Sequence, residues 1–272
     1  MIPVDSQTMR EVAPHFSGEL ADNQAKIIAE AGEVLASTLE SYDITTRLRI
    51  AHFLGQTCEE SAGFRTTVEF GTGEEYEGRL GNTQPGDGPR FKGRGLLQLT
   101  GRANYKEYGN ALGVDLVNNP ALAAQPALSV KIACEYWKRH NINSDCDRDD
   151  IITVTKKVNG GLNGLNERRT FTMKAKTAVA RLEGVQLSGS PSAAEESRPV
   201  LARGSKGDAV VKLQNLLHDL NFAVAIDGDF GPGTEVAVTR FQSDHGLTAD
   251  GLVGPQTWAA MDSADPNLVN KA

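Results

Sequence analysis

The sequence of 272 residues contains three cysteines and no long apolar run, and only 6% of its residues are aromatic. Three cysteines (Cys58, Cys134 and Cys146) are too few for a disulfide framework and fit synthesis in a reducing compartment, with a Cys134–Cys146 bridge as the alternative. No apolar run approaches the roughly 18 to 20 residues that cross a bilayer, and the first residues lack the basic start and apolar segment of an export signal. We therefore expect no membrane insertion and synthesis in the cytoplasm.

Positive charge is also scarce, because the sequence has 28 lysines and arginines against 35 aspartates and glutamates, which gives a net charge of -7. Binding to a nucleic-acid backbone needs a basic face, so we exclude DNA and RNA as the main partner. A hydrophobic content of 39% is that of an ordinary globular protein. The length suits one medium domain and one small domain.

A composition change marks the division between these domains. Residues 184–200 (GVQLSGSPSAAEESRPV) are rich in Ser, Gly, Pro and Glu and have almost no large apolar side chains. Such a segment cannot contribute to a core, which predicts a linker. The predicted domains are therefore residues 1–183 and 201–272.

The first domain is predicted to be mainly α-helical. Apolar residues recur at helical spacing in residues 27–39, in a stretch that starts after Thr45, and in a stretch that starts at Pro126, which suits a first helical turn. The Gly-rich segment 71–95 has room for a short hairpin at most. We expect helices around an irregular central loop.

The second domain contains an internal repeat. The sequences DGDFGPGT (227–234) and DGLVGPQT (250–257) match at five positions with a spacing of 23 residues, and each follows a helical stretch, at 211–220 and 236–244. The Asp-Gly pairs predict tight turns, and the Gly-Pro pairs predict helix starts. Three short helices around one small core are expected, with the aspartates of the repeat in turns and not in catalysis.

Two glutamates are candidates for acid–base chemistry. Glu60 lies seven residues after Phe53, so both fall on one face of the predicted helix 46–61, and Glu60 borders its apolar stripe. Glu69 can face Glu60 across a cleft only if this helix ends near Gly63. On spacing alone both could be solvated surface charges, which is the interpretation we prefer for the other nearby acids: Glu59, Glu74, Glu75 and Glu77.

Three segments together resemble family 19 glycoside hydrolases, in the branch of the bacteriophage endolysins that is related to plant chitinases. They are EESAGF (59–64), GDGPRFKGRGLLQLTGRANY (86–105) and VNGGLNGLNER (158–168), and the similarity covers roughly residues 45–180. The resemblance implies a two-lobed, lysozyme-like helical domain. Glu59 stands where the family usually has His, and Ala62 replaces a Gly.

The resemblance also implies the roles of individual residues. Glu60 matches the general acid, Glu69 the second acidic residue and Thr100 the hydroxyl that positions water. Arg168 is expected to support the site through an ion pair. The expected contacts with the sugar chain are Gln98, Asn104, Tyr105 and Asn159. We expect no metal or other cofactor, since the acidic segment 145–150 lacks the Gly and Glu positions of a calcium loop.

The repeat resembles a three-helix peptidoglycan-binding domain over about residues 201–262. The combination predicts an endolysin, a monomer that hydrolyses β-1,4 bonds of bacterial peptidoglycan with inversion and reaches the wall with the help of a membrane-permeabilising holin. One alternative is a chitinase that acts on N-acetylglucosamine polymer. Another is a wall-binding protein without activity, which the substitution at Glu59 favours.

Overall fold

The computed structural model describes residues 1–188 and 198–264. The chain divides into two compact units, Met1–Leu187 and Ser188–Ala272. The prediction of a mainly helical protein is confirmed: the described residues contain isolated β-bridges but no strand. No helix within the described ranges is long and apolar enough to cross a membrane.

The first unit is built from nine α-helices within its described residues, with short 3-10 turns at Glu74–Tyr76 and Pro120–Ala124. In chain order they are α1 (Ser6–Val12), α2 (Glu19–Ser41), α3 (Arg47–Glu60), α4 (Asp87–Arg90), α5 (Arg102–Leu112), α6 (Pro126–Arg139), α7 (Asn143–Cys146), α8 (Ile151–Asn159) and α9 (Leu165–Ser188). The helices expected at 27–39, after Thr45 and from Pro126 correspond to α2, α3 and α6.

Helix α3 lies at the centre of this unit, because every residue from Ile50 to Cys58 is buried. Phe53 packs edge-on against Trp137 of α6, with ring centroids 5.3 Å apart. Gly55 lets α9 approach closely, since a methyl group at this position would lie 2.8 Å from the backbone nitrogen of Thr172. A helix buried on all sides can present polar groups only at its ends, and Glu60 is its last residue.

A second, smaller core lies between α4, α5 and α6, which matches the expected two-lobed form. Its buried members include Phe91, Tyr105 and Ile132. The three cysteines belong to the main core and are free. Helix α9 extends to Ser188, into the segment 184–200 predicted as a linker, and residues 189–197 of that segment lie outside the described residues.

The second unit contains the three expected helices: α10 (Asp208–Asp219), α11 (Pro232–Asp244) and α12 (Pro255–Ala264). Its core includes Leu213, Phe241 and Trp258. A β-bridge joins Leu201 to Val253 through hydrogen bonds of 3.1 and 2.9 Å. Arg198 also pairs with Asp262 of α12 at 2.7 Å, so the first described residues of the unit lie beside its last helix.

One buried glutamine closes each copy of the repeat. The Gln214 side chain accepts hydrogen bonds from the backbone of Asp227 and Gly228 and donates to the Asp227 carboxylate at 2.8 Å. In the second copy, Gln242 accepts from Gly251 and donates to Asp250 at 2.9 Å. Asp227 and Asp250 thus lie in turns, where they satisfy backbone and amide groups, whereas the Asp229 carboxylate pairs with Lys206 at 2.9 Å.

Candidate active site

Glu60 emerges at the C-terminal end of α3, where the chain turns sharply. The helix ends before Gly63, as a cleft between Glu60 and Glu69 requires. Ala62 and Phe64 both adopt positive φ values, 52° and 61°, which side chains rarely tolerate. Hydrogen bonds hold this turn, from the Gly63 amide to the Cys58 carbonyl and from the Phe64 amide to the side chain of Ser61.

Arg168 of α9 fixes the Glu60 carboxylate. Its Nη2 lies 2.5 Å from Glu60 Oε1, its Nη1 donates to Gln56 Oε1 at 2.6 Å, and its Nε donates to the Asn163 carbonyl at 2.9 Å. The guanidinium is buried, with 3% of the side chain exposed, whereas Glu60 keeps 18%. No described residue hydrogen-bonds Glu60 Oε2, so this oxygen is available to a substrate.

Helix α8 brings Asn159 towards this end of α3. Gln56 of α3 donates to Thr155 of α8 at 3.1 Å, and Tyr136 donates to the Lys157 carbonyl at 2.7 Å. Burial and the nearby Glu60 charge raise the pKa of Tyr136. Asn159 is the last residue of α8, and its Oδ1 is buried without a hydrogen-bond partner among the described residues. This oxygen does not reach the surface, but the residue as a whole is partly exposed, so Asn159 stays a candidate for contact with a sugar.

Glu69 is held in a separate cluster of loops. Its Oε1 accepts from the Tyr76 hydroxyl at 2.8 Å, and its Oε2 accepts from the Gly93 amide at 2.8 Å. The Glu69 amide in turn donates to the Gly93 carbonyl at 3.0 Å. Burial, followed by the hydrogen bond to Glu69, raises the pKa of Tyr76 to about 12, so Tyr76 stays a donor at neutral pH.

Gln98 and Thr100 lie in the same cluster as Glu69. A methyl group at Gly93 would lie 2.8 Å from Gln98 Oε1 and 2.9 Å from Glu69 Oε2, so both side chains face this glycine. The Thr100 hydroxyl donates to the Gln98 carbonyl at 2.8 Å, and Asn104 donates to the Thr100 carbonyl at 2.8 Å. The hydrogen of the Thr100 hydroxyl is thereby used, and its oxygen can accept a hydrogen bond from water.

Tyr105 needs a correction, because its side chain has no exposed surface and cannot contact a sugar. Its hydroxyl donates to the Lys92 carbonyl at 2.8 Å and accepts from Arg94 at 2.9 Å, and its ring packs edge-on against Phe91. Its role is to position the loop that carries Gly93. The family resemblance placed Tyr105 among the sugar contacts, but a sequence motif does not indicate how deeply a side chain is buried.

The family model for class I chitinases matches residues 23–159, just over half of the chain. The chain belongs to glycoside hydrolase family 19. The model for a peptidoglycan-binding domain matches residues 206–261, within the second unit.

Individual relatives agree with this family. A family 19 domain-containing protein of Haemophilus influenzae is 41% identical over 95 residues, 34% of this chain and 46% of that protein. Acidic endochitinase Q of Nicotiana tabacum is 40% identical over 111 residues, 40% of this chain and 42% of that protein. The chain thus spans less than half the length of these relatives.

Two further proteins are similar to part of this chain. Zinc D-Ala-D-Ala carboxypeptidase of Streptomyces albus G is 49% identical over 61 residues, 21% of this chain and 24% of that protein. The crystal structure of chitinase C from Streptomyces griseus covers 66% of this chain and 93% of its own, with 21% identity and a TM-score of 0.48.

Two residues of the family 19 domain were missed or misjudged from the sequence. Glu59 is half-buried and not a solvated charge. Burial raises its pKa, the positive charge of Arg168 lowers it in part, and the negative charges of Glu167 and Glu60 raise it further. Tyr76 received no role, although a tyrosine in an otherwise small and polar loop was a usable signal. The catalytic and binding roles of Glu60, Glu69, Thr100 and the cleft residues remain predictions.

Proposed function

We propose that this chain hydrolyses β-1,4 glycosidic bonds of bacterial peptidoglycan. The observation that carries the proposal is the presence, on one chain, of a family 19 domain and a peptidoglycan-binding domain. A module that binds the wall raises the local concentration of the catalytic domain at its polymer.

Glu60 acts as the general acid. Its Oε2, which no described residue engages, donates a proton to the oxygen of the leaving sugar. After that transfer the carboxylate is negative, and Arg168 at 2.5 Å from Oε1 neutralises this charge. The same arginine fixes the Glu60 side chain in one orientation. A catalytic group that is already oriented lowers the entropy cost of reaching the transition state.

Glu69 and Thr100 activate the attacking water. A water that donates one hydrogen bond to the Glu69 carboxylate and another to the Thr100 oxygen is held for attack on the anomeric carbon, and Glu69 takes the proton. Tyr76 and the Gly93 amide orient the carboxylate. Attack on the face opposite the leaving group inverts the configuration, which needs carboxyl groups about 6.5 to 9.5 Å apart. Gln98, Asn104 and Asn159 contact the sugar chain through their amide groups.

The biological setting proposed for this activity is that of an endolysin. The protein is a monomer that is made in the cytoplasm of a bacterial host, and it acts on the wall in the periplasm after a holin permeabilises the membrane. A chitinase is the second candidate function, and the observation that favours it is the identity of 40% with tobacco endochitinase Q.

Two digestions distinguish these functions. The protein is incubated with purified peptidoglycan and with an N-acetylglucosamine hexamer, and the products are analysed by mass spectrometry. We expect cleavage of peptidoglycan, with the reducing-end sugar identifying the bond. Glu60→Gln keeps the shape of the side chain and loses the proton, so activity should fall below a tenth of the wild-type value with an unchanged melting curve.

Glu40→Gln, an exposed change at the end of α2, is the matched control and should keep full activity. Cleavage of the hexamer alone would favour the chitinase. Full activity of Glu60→Gln would contradict the proposed general acid.

A further inference from the structure

An aromatic and cationic cluster lies beside the proposed active site. The guanidinium carbon of Arg65 lies 5.2 Å from the ring centroid of Phe16 and 5.9 Å from that of Phe70. Phe70 has 79% of its surface exposed, although it is a large apolar side chain. We call Phe16, Arg65 and Phe70 the aromatic platform.

The platform touches the turns that carry both proposed catalytic residues. Phe70 directly follows Glu69 in the chain, so their Cα atoms are about 3.8 Å apart. Phe16 packs against the turn after Glu60, since a methyl group at Gly63 would lie 3.1 Å from its Cε2. A polymer bound between Glu60 and Glu69 therefore extends past this platform.

Arg65 has no counter-charge in this position. Its Nε is buried without a hydrogen-bond partner, and no residue in the described ranges forms an ion pair or side-chain hydrogen bond with its guanidinium. The neighbouring lysine is already engaged, because Lys92 donates to the carbonyls of Glu69 and Gly71. The two rings lie against the guanidinium of Arg65, and its terminal nitrogens have no partner among the described residues, so they can pair with a carboxylate.

The exposed ring adds a second type of contact. Aromatic faces bind the apolar face of a sugar ring, and they hold an arginine in place at the same time. A glycan that bears carboxylates would use both parts, whereas a neutral glycan would use only the ring. Peptidoglycan carries carboxylates on its stem peptides, and on a lactyl group only where the peptide has been removed, whereas chitin carries none.

We propose that the aromatic platform is a subsite for the carboxylate-bearing substituent of the glycan, and that Arg65 makes the site selective for peptidoglycan over chitin. This inference rests on the proposed function and extends it. Phe70 contacts the sugar ring of either polymer, and Arg65 pairs with the carboxylate of peptidoglycan alone. Arg65 acts in binding and takes no part in proton transfer.

The test compares Arg65→Met with the wild type on three substrates: intact peptidoglycan, peptidoglycan stripped of its peptides by an amidase, and the N-acetylglucosamine hexamer. We expect kcat/KM of Arg65→Met to fall about tenfold on intact peptidoglycan, through KM, because a charge-assisted pair is lost. On the hexamer it should change by less than about twofold. Arg65→Lys should recover part of the loss, and Phe70→Ala should weaken binding of all three.

On intact peptidoglycan the partner of Arg65 is a stem-peptide carboxylate, because the lactyl carboxyl there is an amide. A loss that vanishes on the stripped polymer shows that Arg65 requires the peptide, and a retained loss shows that Arg65 also pairs with the lactyl carboxylate that the amidase releases. Arg10→Gln, an exposed change on α1 with the same effect on net charge, controls for long-range attraction. Equal losses on peptidoglycan and the hexamer, or no loss on either, would overturn the inference. A wild type that leaves peptidoglycan intact would instead contradict the proposed function.

Discussion

Replacing Arg168 by methionine should destabilise the first unit strongly, because this one side chain satisfies three acceptors. The change leaves the Glu60 carboxylate without its cation. It also removes the hydrogen bonds that Arg168 donates to Gln56 Oε1 and to the Asn163 carbonyl. Breaking one side of a buried ion pair costs roughly 3 to 5 kcal/mol. Since Glu60 keeps 18% of its side chain exposed and can gain water, we expect about 3 kcal/mol. In a domain of this size that lowers Tm by roughly 6 to 12 °C.

Urea unfolding and calorimetry measure this loss, with Arg181→Met as the matched control. Arg181 also binds a carboxylate, that of Glu11, at 2.6 Å, but 52% of its side chain is exposed, so its removal should cost less than about 1 kcal/mol. Adding Glu60→Gln to Arg168→Met should restore part of the stability, because the uncompensated charge disappears. The reasoning is refuted if the two arginine variants unfold at the same urea concentration, or if the second change gives no recovery.

Three further predictions concern catalysis, acid stability and the division of labour. Glu69→Gln should slow turnover more than Thr100→Ala, because solvent can replace a positioning hydroxyl but not a base; steady-state rates that rank Thr100→Ala as the slower variant would contradict this. Asp87 pairs with Arg102, whose hydrogen bonds hold the pKa of the Asp87 carboxyl at about 2, below its ordinary 3.8. The stability that this pair contributes is therefore present above about pH 4 and lost as pH falls through about 2. With Asp87→Asn, the free energy of unfolding should fall less steeply as the pH drops below about 4. An unchanged slope would contradict the contribution of the Asp87–Arg102 pair. A fragment of residues 1–188 should keep the bond specificity but lose affinity for intact sacculi. A fragment of residues 198–272 should sediment with sacculi and release no sugar. If this second fragment stays in the supernatant, its role as an anchor is refuted.

Local patterns predicted most of the helices, because helical spacing and caps are properties of neighbouring residues. Helix α2 follows the apolar period of residues 27–39, and α3 starts after Thr46, whose side chain caps the helix by accepting from the Arg49 amide. The repeat likewise predicted the three helices of the second unit. The depth of α3 could not be read in this way, since its buried polar residues, such as His52 and Gln56, look like a solvent-facing side.

The candidate site shows the same limit more clearly. The position of Glu60 on its helix follows from spacing, but its partner Arg168 lies 108 positions away and entered only through the family resemblance. Glu69 is oriented by Gly93, 24 positions along the chain, a contact that no local pattern encodes. Glu59 was misjudged for the same reason, because its burial depends on the loop around Gly164, which packs against its carboxylate.

The bridge between Leu201 and Val253 has a consequence for protein engineering. Trp258 Nε1 also donates to the Pro199 carbonyl at 3.0 Å, and Asp262 pairs with Arg198 at 2.7 Å, so α12 is fastened to the residues that lead into α10. A unit whose first and last described segments lie side by side can be inserted into a surface loop of a host protein without pulling the loop apart. The same geometry suits circular permutation, with new ends opened in the exposed turn at Asn221, and would make the module a portable tag.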